Sequence, residues 1–152
     1  MWLSASQVSH ARLICGVAGA VPAIAEDLRR GHIPNWVCVA LLGCGLALGA
    51  LAQTLLSAFL GLLMSLASCL IFYIRGGMGG GDVKLMAAYG ALVGIHQIWP
   101  ALFLTAVAGA LMAVVVSLVT ARRGAPARSI CYAPAIVAGA LLVLLADVVE
   151  TR

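Results

Sequence analysis

Six apolar runs separated by short polar interruptions leave this chain little choice of solvent. They cover about residues 8–25, 34–52, 55–74, 83–95, 100–120 and 130–149. A helix needs ~20 apolar residues to cross a bilayer, and within lipid a helix satisfies its own backbone hydrogen bonds. Of 152 residues, 64% are hydrophobic and 9% charged, against roughly 25% charged in a soluble domain. Too few polar side chains remain to wet a surface, and six spans use nearly all of the chain. The expected fold is an all-α integral membrane bundle of about six transmembrane helices, one domain over 1–152. The second and third runs, parted only by Gln53 and Thr54, also fit one long bent hairpin, and 83–95 is the weaker run.

The net charge of +4 is no nucleic-acid footprint, because the basic residues punctuate apolar runs instead of gathering on one wet face. With six spans, one side of the membrane receives Arg29, Arg30, Arg75, Lys84, Arg122, Arg123 and Arg128, seven of the nine basic residues, and the other receives Arg12 and Arg152. The positive-inside rule then puts the three basic loops in the cytoplasm and both termini outside. The cysteines Cys15, Cys38, Cys44, Cys69 and Cys131 form no C-x-x-C pair, so a zinc or disulfide framework is not expected. The chain start lacks the basic n-region of a secretory signal. His10, His32 and His96 are scattered, which gives a histidine-centred metal site or a Ser-His triad no geometry; no metal and no cofactor are expected.

Five carboxylates remain: Glu26, Asp27, Asp82, Asp147 and Glu150. The topology sends the first three to the cytoplasmic face and the last two to the opposite end. Acidic residues at span boundaries are costly and usually functional. Asp82 follows Gly79-Gly80-Gly81 and reads either as a helix N-cap or as a carboxyl group where glycines let a substrate backbone approach. A phosphate-binding loop would need Lys after its last glycine. Asp27 reads either as a solvated loop residue beside Arg29 and Arg30 or as the partner of Asp82. Neighbours on a helix point ~100° apart, so only one of Glu26 and Asp27 meets that site, and spacing alone does not choose. Two carboxylates at one water make an aspartyl protease dyad: one ionised and taking a proton, the other protonated and bonding the scissile carbonyl.

Asp27-Leu28-Arg29-Arg30-Gly31-His32-Ile33-Pro34-Asn35 resembles the first aspartate block of the type IV prepilin peptidases. Gly79-Gly80-Gly81-Asp82-Val83-Lys84-Leu85 is similar to their second block, G-x-G-D followed by Val-Lys-Leu. Tyr132-Ala133-Pro134-Ala135-Ile136 with Gly139 resembles the last-span motif of the small members that serve tight-adherence pili. The resemblance selects Asp27 over Glu26. It implies Asp27 and Asp82 as catalytic residues, with Gly79, Gly81 and Lys84 in the active-site loop. It further implies an aspartyl endopeptidase of the bacterial inner membrane that cuts the basic leader from Flp-like prepilins or pseudopilins, commonly after a glycine. Gly77 departs from the Phe of many members, and the four-cysteine region of larger members is absent, so N-methyltransferase activity is not expected. Membrane lipids and other pilus-assembly proteins are the further expected partners, with no nucleic acid. The alternative is a membrane transporter or pilus-assembly scaffold that binds without cutting, Lys84 and the 122–128 loop anchoring lipid or an assembly ATPase.

Overall fold

The computed structural model describes residues 4–123 and 132–151. Among these the fold is all-helical, in the order α1 (Ala5–Arg30), α2 (Asn35–Leu51), α3 (Leu55–Ile74), α4 (Gly80–Val93), α5 (Ile98–Arg123) and α6 (Ala133–Glu150). Four helices, Ala5–Arg30, Leu55–Ile74, Ile98–Val119 and Ala133–Glu150, have the length and apolarity to cross a membrane, and α2 is a shorter apolar helix. The chain is a multi-pass membrane protein. Arg128, Cys131 and Arg152, and the side chains of Arg122 and Arg123, lie outside the described residues.

The second and third runs form separate helices, parted at Gln53, whose φ of 56° reverses the chain. The weaker run is α4, 14 residues long and about 21 Å at 1.5 Å per residue. It is sheathed by its neighbours: Leu85, Met86, Tyr89 and Leu92 are fully buried. Backbones pass closely there. A Cβ on Gly45 of α2 would stand 2.9 Å from the Ala91 carbonyl carbon, and one on Gly90 would strike Ser65 of α3. Small residues at such crossings let membrane helices gain dispersion contacts that lipid tails alone do not supply. Tyr89 spends its hydroxyl on the Gly16 carbonyl of α1, 2.8 Å away.

Two of the boundaries that differ from the sequence expectation concern acidic residues. Helix α1 continues through the polar stretch 26–30, so Asp27 stands in its last turn and not in a loop. Helix α4 begins inside the glycine tract at Gly80, so Gly79 is the N-cap and Asp82 is the third helical residue.

Candidate active site

Helix α1 outlasts its apolar run for local reasons. Glu26 pairs with Arg30 one turn on, Nε to Oε2 at 3.1 Å, and Arg29 and Arg30 face the negative end of the helix dipole. Gly31 then ends it at φ 67°, its N–H donating to the Asp27 carbonyl at 2.9 Å; that left-handed turn suits glycine. The ~100° between neighbours separates the two carboxylates. Glu26 stays at the surface with Arg30, whereas Asp27 is turned inward and 5% exposed. There Asp27 Oδ2 accepts the backbone N–H of Ala133 at 3.3 Å. Ala133 opens α6, so a helix N-terminus, the positive end of its dipole, faces the carboxylate.

Asp82 is 8% exposed. Its Oδ2 accepts the N–H of Gly79 at 3.3 Å, the back-reach of a residue at the third helical position. The N-cap assignment is thus corrected: the first turn winds three residues earlier because Gly80 and Gly81 carry nothing to obstruct it. A Cβ at Gly81 would already touch Ile33 at 3.4 Å, and one at Gly79 would sit 3.0 Å from the Asp82 carboxylate oxygen. The bare Gly79 Cα therefore leaves the carboxylate its seat.

Asp27 and Asp82 line one cavity of about 390 Å³, open on one side, with His32, Ile33, Asn35, the glycines 79–81 and Lys84. Burial, and next the negative charge of Asp27, push Asp82 up to about 6, against the opposing pull of the Gly79 N–H. At the rim, exposed Lys84 donates from Nζ to Asn35 Oδ1 at 3.0 Å, tying α4 to α2. Exposed His32 makes a long 3.5 Å contact to the Arg30 carbonyl. Among the described residues no three His, Cys, Asp or Glu side chains gather to hold a metal ion.

The residues singled out from sequence, Asp27, Gly79, Gly81, Asp82 and Lys84, all border this cavity, while Asp147 sits at the far end of α6 against Gln97. Asn35 and Ala133 were not singled out as site residues. Both lie in motif blocks, Ile33-Pro34-Asn35 and Tyr132-Ala133-Pro134, which are the only sequence signal for them. The arrangement is two buried carboxyl groups in different surroundings, one facing a helix N-terminus and one that keeps its proton up to about pH 6.

The type IV leader peptidase family matches residues 14–114 of the chain. The prepilin leader peptidase/N-methyltransferase of Bacillus subtilis (strain 168) is 35% identical over 124 residues, which cover 78% of this chain and 49% of that protein. The chain thus spans about half the length of the curated relative it matches. No solved structure matches it. The family match ends inside α5, so the α6 contact to Asp27 lies beyond it.

Proposed function

The chain belongs to the type IV leader peptidase family, and from that premise we propose that it is an aspartyl endopeptidase of the bacterial inner membrane. Its substrates are Flp-like prepilins or pseudopilins, whose basic leader it removes at the cytoplasmic face. The observation that carries this reading is the cavity shared by Asp27 and Asp82. Asp27, facing the Ala133 N–H and the α6 N-terminus, is the ionised base that takes a proton from the attacking water. Asp82, whose proton persists to about pH 6, donates a hydrogen bond to the scissile carbonyl and stabilises the oxyanion as the water oxygen adds. The tetrahedral intermediate collapses as its C–N bond breaks and the proton held by Asp27 passes to the leaving nitrogen. The glycines 79–81 leave the cavity wall low enough for an extended backbone. Transfer of a methyl group to the new N-terminus is no part of this assignment.

The test is a purified protein in lipid vesicles given a full-length prepilin, with the new N-terminus read by mass spectrometry. One cut at the leader junction is expected, equal with and without EDTA. The rate should be bell-shaped in pH. Its alkaline limb opens near pH 6, where Asp82 loses the proton it must carry, and its acid limb reflects protonation of the base. A rate still climbing at pH 8, or no cut at all, overturns the assignment; the latter result is what a scaffold or transporter would give.

Orientation is tested separately. Lys84 lines the cavity, and Arg29, Arg30 and Arg75 lie close in sequence to its lining segments; the positive-inside rule assigns such residues to the cytoplasm. On a cysteine-free background, Ala5→Cys at the start of α1 should react with an impermeant thiol reagent in intact cells, and His32→Cys just beyond its end should not. The reverse pattern would put the cavity on the wrong side for a leader that has not crossed the membrane.

A further inference from the structure

Helices α1 and α6 are bonded to each other at the cavity end, and at the opposite end each is bonded to a neighbouring element. At the cavity end the tie is Asp27 Oδ2 with the Ala133 N–H. At the other end Arg12 of α1 donates from Nη2 to Thr54 Oγ1, in the α2–α3 turn, at 3.1 Å. Asp147 of α6 accepts from Gln97, just ahead of α5, at 2.7 Å. Arg12 lies within the electrostatic reach of Asp147, and its Nε is buried with no hydrogen-bond partner. A desolvated guanidinium nitrogen of that kind needs a compensating charge, and Asp147, without touching Arg12, is the acidic group whose field reaches it. Fifteen residues separate Arg12 from Asp27 and fourteen separate Ala133 from Asp147, about 22 and 21 Å of helix. Two antiparallel helices bonded to each other at one end, and each anchored to its neighbours over a matched span, are held in one register.

We propose that Arg12, Thr54, Gln97 and Asp147 form a register lock on the face opposite the cavity, setting how α1 presents Asp27 to the first turn of α6. Arg12 and Asp147 are positioning residues, acting through the two helices about 20 Å from the cavity. A slip of α1 by one residue turns Asp27 by ~100° and moves it ~1.5 Å along the axis, away from both the Ala133 N–H and Asp82. Misplacement of about 1 Å costs on the order of 10²-fold in rate.

The rate arm of the test rests on the peptidase reading, and the distance arm does not. Spin labels at Leu28 and Ala138, both exposed, on a cysteine-free background report the α1–α6 register in wild type, Arg12→Ala, Asp147→Ala, Arg12→Lys and the Arg12→Asp/Asp147→Arg exchange. The alanine variants should broaden or shift the distance distribution. They should also lose at least ~tenfold in kcat per folded protein, with KM within about twofold. Arg12→Lys and the exchange should restore a narrow distribution and kcat to within about threefold. Glu150→Gln, an exposed carboxylate at the same helix end, should match wild type in both. Unchanged distances in the alanine variants, or an exchange as poor as either single change, would overturn the lock. A wild-type protein that cuts no prepilin would remove the peptidase reading, while the distances still decide the lock.

Discussion

Asp82→Asn, inserted in the membrane at wild-type level, is expected to release no mature pilin. The prediction pits two duties of one side chain against each other. As the third residue of α4, Asp82 accepts the Gly79 N–H, and Asn keeps an oxygen for that bond. Losing the bond outright, as in Asp82→Ala, costs about 1 kcal/mol. As the acid, Asp82 must offer the carbonyl an acidic O–H whose hydrogen bond strengthens as the oxyanion forms; the amide N–H of Asn is far less acidic, and removing such an acid costs roughly 10²–10⁴-fold, about 3–5 kcal/mol of barrier. A purely structural Asp82 gives a nearly wild-type Asn variant and a mildly impaired Ala variant; a catalytic one gives two inactive variants. Stability moves the opposite way to activity. The Asp82 carboxyl is raised from 3.8 to about 6, so between those values the folded protein keeps a proton that the unfolded chain has released. Its contribution to stability is therefore full below about pH 4 and declines as pH rises through 6. Asn has no proton to lose, so the variant should lack that decline and be at least as heat-stable as wild type at pH 7.5. An active, well-expressed Asp82→Asn protein would sink the acid role.

The parts of this fold that sequence exposes are those that lipid dictates. Leu55–Ile74 is a helix over the whole of its apolar run, because hydropathy marks the stretch that must satisfy its backbone internally. Hydropathy is blind where the chain leaves lipid. The charged stretch 26–30 reads as a loop, yet Arg30 and Gly31 prolong and close α1 through an ion pair and a left-handed cap, so Asp27 gains a rigid support that composition hides. The glycines 79–81 read as a flexible link, since glycine is a poor helix former. Two of them are wound into α4 instead, where a Cβ on Gly80 or Gly81 would lie against Tyr73 or Ile33. The tie from Ala133 to Asp27 joins residues 106 apart, and no local periodicity carries it.

The same reasoning separates the adjacent carboxylates of α1, which composition alone leaves equivalent. Asp27→Asn should reduce cleavage to background, and Glu26→Gln should keep at least half of the wild-type rate. Glu26 pairs with Arg30 while Arg30 stays largely in water, and an exposed pair at this spacing contributes only about 0.3–0.5 kcal/mol. Its loss frays the last turn of α1 without moving a group inside the cavity. Asp27 is buried, lines the cavity with Asp82 and faces the opening N–H of α6. Asn still offers that N–H an oxygen, so the helix contact survives and the protein folds. What vanishes is the negative charge, and with it both the acceptor for the water proton and the field that helps to hold the proton on Asp82. The alkaline limb of any residual activity in Asp27→Asn should accordingly move to lower pH, because Asp82 no longer faces a neighbouring anion. Inactivity of Glu26→Gln beside an active Asp27→Asn would reverse the assignment and place the base on the outer face of α1, away from the cavity.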